Sequence, residues 1–210
     1  MKKKPFIVWV FGALAWAVSS LSHAAPPASY ATCVACHGKD GGGNAALGSP
    51  ALAGQQAAYL VRQLRQFRDG ERGADPGDTY GAQMRAMSTG LSDTQIDEIA
   101  QYMAQQPPVA TASSKTPDPS VIRTGSDYYQ AKCGACHGGK AEGNEALQAP
   151  NLAILDAVYL RRQFEHFQDG VRGATQGDRL GRQMQLMSKT LSDPAHLDAV
   201  LLFITSQPAP

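Results

Sequence analysis

Helical patterns of apolar residues occur twice along the chain, once in each half. In the segment AAYLVRQLRQFRDG, Leu60, Leu64 and Phe67 are spaced i, i+4 and i+7, and Gly70 follows as a typical helix-ending residue. This spacing predicts an amphipathic helix with one face directed at a core. The segment AVYLRRQFEHFQDG repeats the pattern with Leu160, Phe164, Phe167 and Gly170.

A second helix is predicted close to the end of each half. The segment LSDTQIDEIAQYMAQQP starts with Ser92 and has Gln95 three residues later, which is the arrangement of a capping box. Its apolar face is formed by Ile96, Ile99 and Met103. In the second half the corresponding helix is predicted to start from Ser192, and its apolar residues are Leu197, Val200, Leu201 and Ile204.

The segments that contain cysteine are also expected to be helical. In the second half this helix is predicted to be capped by Ser126 or Asp127. In the first half it is predicted to be shorter, because few residues of the mature chain precede Cys33. The segments between the predicted helices are rich in glycine and show no strand-like alternation. The sequence therefore predicts an all-α fold.

The two halves are copies of one sequence, displaced by 100 residues. Two copies are too few for a solenoid, which needs about three repeats, so each half is predicted to be a small domain. The predicted domains span residues 25–107 and 124–210, and residues 108–123 form a linker rich in Pro, Ser and Thr. Matching residues include Cys33/Cys133, His37/His137, Asn44/Asn144, Pro50/Pro150, Phe67/Phe167, Met84/Met184 and Met87/Met187.

Residues 1–24 have the layout of a secretory signal peptide. Three lysines are followed by an apolar run of about 16 residues and then by the small residues SHAA. An uncleaved membrane anchor is the alternative, but the run is shorter than the ~20 residues that span a bilayer. Cleavage near Ala24 is therefore expected. It would place the mature protein in the periplasm, an oxidising compartment.

Removal of this segment changes the sign of the net charge. The whole chain has 19 Lys and Arg against 18 Asp and Glu, a formal charge of +1. Without Lys2, Lys3 and Lys4 the count is 16 against 18, which gives −2. The mature chain has no basic patch that would indicate a nucleic-acid partner.

The motif Cys-x-x-Cys-His occurs at Cys33, Cys36 and His37, and again one hundred residues later. In an exported chain this motif indicates covalent attachment of haem c, with the histidine bound to iron. A zinc site would need four ligands, and a thioredoxin-like motif would need a βαβ context. Disulfides within the pairs would leave the histidines unexplained. We therefore expect two covalently bound haem c groups, the second held by Cys133, Cys136 and His137.

The second iron ligand is predicted by elimination. The mature first half has no histidine other than His37, and Lys39 is too close to His37 in the chain to reach the opposite side of a haem. Met103 lies in an apolar helix face, so Met84 and Met87 remain as candidates. They recur as Met184 and Met187. A His/Met pair favours ferrous iron and leaves no open position, which fits electron transfer.

Other polar residues carry weaker indications. His166 and His196 have no counterpart in the first half, so both are expected at the surface. Arg72 and Arg172 recur, and they either pair with haem propionates or are solvated loop charges. A solvated helix face is expected for Arg62, Arg65 and Arg68.

Over residues 28–208 the chain resembles the dihaem class I c-type cytochromes of the c4 type. The resemblance is carried by CxxCHG, by SPALAGQQAAYLVRQLRQFRDGERG and by MRAMSTGLSDTQIDEIAQYMA, each with a counterpart in the second half. It implies two tandem class I cytochrome c domains. It also implies that the iron ligands are Met84 and Met184, and that Met87 and Met187 are packing residues.

The same resemblance implies roles for three further pairs of residues. The carbonyl of Pro50, and of Pro150 in the second half, would fix the iron-binding histidine. Aromatic residues of the last helices, Tyr102 and Phe203, would pack on the first helix of each domain. The change from Gln55 to Leu155 would make the second haem's surroundings more apolar.

The family's function is the last implication. Its members carry electrons in the periplasm without catalysing a reaction, often from quinol–cytochrome c reductase to a terminal oxidase. Peripheral membrane association is compatible with such partners. Two alternatives stay open: a haem subunit of a flavin- or molybdenum-dependent dehydrogenase, and a dihaem enzyme such as a peroxidase, which would need an open iron site.

Overall fold

The regular secondary structure is helical in both halves. The computed structural model describes residues 25–109 and 118–209, so the predicted signal peptide and residues 110–117 of the predicted linker lie outside the described residues. The first half contains α1 (Val34–His37), α2 (Ala57–Arg68), α3 (Thr79–Ser88) and α4 (Asp93–Gln105). The second contains α5 (Pro119–Lys132), α6 (Gly134–His137), α7 (Ala157–Asp169), α8 (Arg179–Ser188) and α9 (Pro194–Thr205).

This arrangement confirms the all-α prediction. In the described part of the chain, β structure is limited to two isolated bridges, Asn44–Ser49 and Asn144–Ala149. None of the helices that the structure describes is long and apolar enough to cross a bilayer.

Helix caps agree with the sequence in the first half and differ in the second. Ser92 and Gln95 form the predicted capping box of α4. The predicted cap Ser192 is wrong, because α9 is capped by Asp193, which accepts from the amide of Ala195. Pro194 explains the shift: its fixed φ and missing N–H suit the first position of a helix.

Helix α5 begins earlier than predicted. Its cap is Asp118, whose carboxylate accepts from the amide of Ser120 at 2.8 Å, so the predicted caps Ser126 and Asp127 are wrong. The first residues of α5 therefore fall inside the segment expected to be linker. Ile122 packs against the apolar core of the second half, and this contact explains why the segment is ordered into helix.

The methionine-bearing segments are helices that the sequence did not predict. Asp78 caps α3 and accepts from the amide of Gly81 at 2.8 Å, and Asp178 does the same for Gly181 in α8. Glycine near the start of each helix conceals the pattern, and in α3 the apolar periodicity is also weak. Gly73 is required here, since it has a φ of +76° and a Cβ would meet the backbone of Gly81.

A buried tyrosine holds each cysteine-bearing segment. Tyr30 donates from its hydroxyl to the carbonyl of Gly38 at 2.7 Å, and Tyr129 donates to Gly138 at 2.8 Å. Both rings are fully buried. The first half reaches this geometry from a short 3-10 turn, Ala28–Tyr30, so the prediction of a shortened first helix is confirmed. Because this tyrosine is displaced by 99 residues rather than 100, the repeat did not reveal it.

The aromatic residues of the last helices take their expected positions. Tyr102 lies 6.0 Å from Tyr30 between ring centroids, and Phe203 lies 5.1 Å from Tyr129. Met103, expected in the core, is fully buried beside Ile99.

Polar contacts join the two halves directly. The side-chain amide of Gln55 donates to the carbonyl of Asn151 and accepts from its amide, both at 2.9 Å. Arg62 donates to Gln148 at 3.0 Å, so it is not the solvated residue predicted from sequence. Its counterpart Arg162 donates to the carbonyl of Gly48 at 2.6 Å. Arg65 and Arg68 form exposed ion pairs with Asp69, Asp93 and Asp97.

Candidate haem sites

The first half contains a cavity of about 160 Å³ that gathers the predicted site residues. Cys33, Cys36 and His37 line it together with both candidate ligands, Met84 and Met87. Much of the remaining wall is apolar and includes Leu52, Leu60, Leu64, Phe67, Ile99 and Met103. The structure thus brings Cys33 together with Met87, which is 54 positions further along the chain.

The second half contains a larger cavity of about 480 Å³ with the equivalent residues. Cys133, Cys136, His137, Met184 and Met187 all line it. Leu155 also contributes to its wall, in agreement with the expectation of more apolar surroundings at this position.

Each cysteine motif is a single helical turn. The amides of Cys36 and His37 both bond to the carbonyl of Cys33, at 3.2 and 2.9 Å. This turn holds two thiols and one imidazole against one cavity. Among the described residues no disulfide joins any of the four cysteines, and burial raises the pKa of the Cys133 thiol to about 11.

Each histidine is oriented and kept neutral. Nδ1 of His37 lies 2.9 Å from the carbonyl of Pro50, and Nδ1 of His137 lies 3.1 Å from that of Pro150. Because a carbonyl only accepts, Nδ1 carries the proton and Nε2 is left as the available ligand atom. Burial lowers the pKa of both imidazoles against the opposing effect of these hydrogen bonds. A neutral, oriented imidazole is what iron ligation requires.

The two methionines of each pair differ in exposure. Met87 is 51% exposed and Met187 is 38% exposed, whereas Met84 and Met184 are partly buried. Their i, i+3 spacing within α3 and α8 places both side chains of a pair toward one cavity. The more buried member of each pair is the one that the family resemblance indicates.

The chemistry of the two sites fits a covalently attached haem. Two cysteine side chains, a neutral imidazole and a thioether surround an apolar space, and imidazole and thioether are ligands that suit haem iron. Within residues 25–109 and 118–209, no three His, Cys, Asp or Glu side chains are grouped to bind a bare metal ion. The zinc alternative therefore finds no ligand set in this part of the chain.

Comparison with known proteins identifies the family. A family model described as cytochrome c matches residues 27–107 and 122–208. The chain belongs to the cytochrome c family. The cytochrome is 33% identical to the thiosulfate dehydrogenase electron acceptor of Thiomonas intermedia (strain K12), over 98% of this chain and 92% of the relative.

Two comparisons connect this cytochrome with the dihaem c4 type. Cytochrome c4 of Azotobacter vinelandii is 32% identical over 74% of this chain and 79% of the relative. The crystal structure of reduced recombinant cytochrome c4 from Pseudomonas stutzeri has a TM-score of 0.67 and 28% identity, covering 85% of this chain and 95% of that one. The protein is a dihaem electron-transfer cytochrome with two covalently attached haem c groups, as the sequence predicted.

Arg72 and Arg172 of the cytochrome are buried, which excludes the solvated-loop alternative. They are 8% and 9% exposed and line the first and second cavity, respectively. Each donates to the side-chain oxygens of both Gln63 and Gln163, at 2.5 to 2.8 Å. Nε of Arg72 is buried without a partner. Among the described residues neither guanidinium forms an ion pair, so both can receive a haem propionate.

The two unrepeated histidines are less exposed than predicted. The side chain of His166 is 14% exposed, and its Nδ1 lies 3.8 Å from a carboxylate oxygen of Asp78 in the other half. His196 is 34% exposed and stacks on Tyr128, with ring centroids 3.9 Å apart. Both histidines contact other side chains, and neither lines one of the two cavities that contain the cysteine motifs.

Proposed function

We propose that this cytochrome is a periplasmic electron carrier that accepts electrons from quinol–cytochrome c reductase and delivers them to a terminal oxidase. It acts without catalysing a reaction of its own. The proposal rests on the membership of the chain in the dihaem cytochromes and on the candidate iron ligands that line each cavity.

One observation carries the proposal. In each half, a neutral histidine fixed by a proline carbonyl and a partly buried methionine line the same cavity. We assign the iron ligands as His37 with Met84, and His137 with Met184. A haem with both positions filled supplies one-electron oxidation and reduction, and it leaves no coordination site for a substrate.

The protein residues have three tasks in this function. Apolar side chains exclude water from the cavities and so raise the cost of ferric charge. The carbonyls of Pro50 and Pro150 hold the imidazole rings in place during repeated turnover. The contacts between the halves, centred on Arg72 and Arg172, keep the two sites at a fixed separation.

A second function is supported by two relatives that are named thiosulfate dehydrogenase electron acceptor. The Thiomonas intermedia protein, similar over 98% of this chain, is named for accepting electrons from thiosulfate dehydrogenase. On this hypothesis our cytochrome receives its electrons from a periplasmic dehydrogenase rather than from the quinol-oxidising complex. Delivery to a terminal oxidase is common to both hypotheses.

Electron-exchange kinetics test the two hypotheses together. Oxidised holoprotein is mixed with membranes that contain quinol–cytochrome c reductase and quinol, or with thiosulfate dehydrogenase and thiosulfate, and the growth of the reduced haem bands is followed. Rapid reduction in the first mixture supports the main proposal, and rapid reduction only in the second supports the alternative. Peroxide turnover by the isolated holoprotein would contradict both.

The location and the cofactor content have a separate test. The intact mass of the protein isolated from periplasm should equal residues 25–210 plus two haems. A mass that includes residues 1–24 would instead support the anchor alternative.

A further inference from the structure

The outer face of α8 carries three cations and one large apolar residue. Arg179, Arg182, Leu186 and Lys189 are spaced i, i+3, i+7 and i+10, and at 3.6 residues per turn they fall within about 80° of the helix circumference. All four are exposed, and Leu186 is 68% exposed. We call these four residues the α8 stripe.

The equivalent face of α3 is neutral. Its four residues at the same positions are Thr79, Ala82, Ala86 and Thr89. Both helices have ten residues and a buried aspartate cap, and both bear the methionine pair. Since α3 forms the same structure without cations or leucine, the fold does not require the composition of the α8 stripe.

The charged groups of the α8 stripe have no ion-pair partner in residues 25–109 and 118–209. Among the residues described, the side chains of Arg179, Arg182 and Lys189 take part in none of the ion pairs. Arg179 is the first residue of α8, where a cation opposes the helix dipole. The three cations and the exposed Leu186 are therefore available for an external contact as far as the described part of the chain is concerned.

The stripe lies beside the second haem site. Arg179 lines the mouth of the second cavity, and Met187, on the adjoining side of α8, lines it as well. Leu147 and Met187, which also line this cavity, are 48% and 38% exposed. The loop between α6 and α7 carries the exposed acidic residues Glu142 and Glu145. An apolar centre with a charged rim is the usual anatomy of a protein interface.

We propose that the α8 stripe is the docking surface for an acidic face of a redox protein partner, which exchanges electrons through the second domain. The complementary charge steers the partner, and Leu186 supplies the apolar contact. The neutral face of α3 gives the first domain no such steering, so the two haem domains of one chain select different partners. This inference rests on the proposed electron-carrier function.

The residues of α3 at the equivalent positions define the substitutions that test the α8 stripe. R182A/L186A/K189T gives α8 the residues that α3 has at those positions, and it leaves Arg179 in place because that side chain lines the cavity. R182A and R85Q form a matched single pair: each removes one exposed arginine and introduces the residue of the other domain, Ala82 or Gln185. Unchanged haem spectra establish that each holoprotein variant is folded.

The readout is the second-order rate of electron exchange at low ionic strength. The reactions are reduction by quinol–cytochrome c reductase membranes, reduction by thiosulfate dehydrogenase, and oxidation by terminal-oxidase membranes. In at least one of them the triple variant should be about tenfold slower and R182A about two- to threefold slower, with R85Q unchanged. Added salt should slow the wild type toward the rate of the triple variant.

Equal rates and equal salt dependence for the wild type and the triple variant, in every reaction that the wild type performs, would overturn the docking proposal. Failure of the wild type in all three reactions would instead overturn the electron-carrier function. In that event the docking proposal is tested by the rate at which the anion ferricyanide oxidises each holoprotein. A lower rate for the triple variant than for the wild type supports a steering surface, and equal rates refute it.

A membrane is the other surface that could take a cationic stripe. Cosedimentation with phosphatidylglycerol vesicles tests this alternative. If the wild type cosediments, the triple variant does not, and both react equally with the protein partners, then the stripe binds lipid and the proposal is overturned.

Discussion

At the scale of single residues, the two sites depend on which side-chain atoms remain available to bind iron. The Pro50 carbonyl accepts a hydrogen bond from Nδ1–H of His37, which leaves Nε2 for iron. On α3, Met84 and Met87 are both within the cavity lining, and only their exposure separates them. A ligand must be held against the iron and a packing residue need not be, so we assign the more buried methionine as ligand.

Substitution of each methionine tests this assignment. Met84→Ala should abolish the methionine–iron charge-transfer band of the first haem, lower its reduction potential and allow external ligands to bind. Met87→Ala should retain the band, because it leaves the proposed ligand Met84 in place. It is a matched control, because it removes a methionine from the same helix. Optical spectra and redox titration of the holoprotein give both readouts. Loss of the band in Met87→Ala and its retention in Met84→Ala would reverse the assignment.

The residues whose role could be predicted from sequence are those that act with neighbours in the same short segment of the chain. Cys33, Cys36 and His37 lie within five consecutive residues, and the haem assignment followed from this spacing in a chain predicted to be exported. Arg72 and His166 could not be assigned because their partners are Gln163 and Asp78, which lie in the other half. A repeat reveals equivalent positions within the two halves, but it contains no information about contacts between them.

At the scale of helices, capping residues fix where each element begins. The sequence located α4 correctly because its capping box is followed by a regular apolar face. It placed the start of α5 too late, because the segment before Ser126 reads as linker by composition. The structure shows instead that Asp118 and Pro119 start the helix, and a proline is well suited to its first turn.

The caps of α5 can be distinguished by mutation. Asp118→Ala removes an acceptor of the Ser120 amide and should destabilise the protein by about 1 kcal/mol. Asp127→Ala alters an exposed residue within α5 and should stay within about 0.5 kcal/mol of wild type. Denaturant unfolding of the holoprotein, followed by circular dichroism, measures both. A larger effect for Asp127→Ala would restore the sequence-based start of the helix.

At the scale of the whole molecule, the two domains are joined by a polar centre between their cavities. Two buried guanidiniums, Arg72 and Arg172, share the side-chain oxygens of Gln63 and Gln163, so each domain supplies one donor and one acceptor to the other. Buried charges of this kind are stable only when their geometry is well satisfied. The planar fork of arginine meets both oxygens at once, which a lysine ammonium cannot do.

Replacement of both arginines by lysine should therefore uncouple the domains while preserving the charge. We expect the wild-type holoprotein to unfold in one cooperative transition. The double variant Arg72→Lys/Arg172→Lys should lose ~2–4 kcal/mol, because hydrogen bonds to charged groups are lost from the buried centre, and its domains should melt separately in scanning calorimetry. Arg182→Lys, an exposed change of the same type, should leave the single transition unaltered. A double variant that melts in one transition at the wild-type temperature would show that Gln55 and the other contacts between the halves suffice to couple the domains.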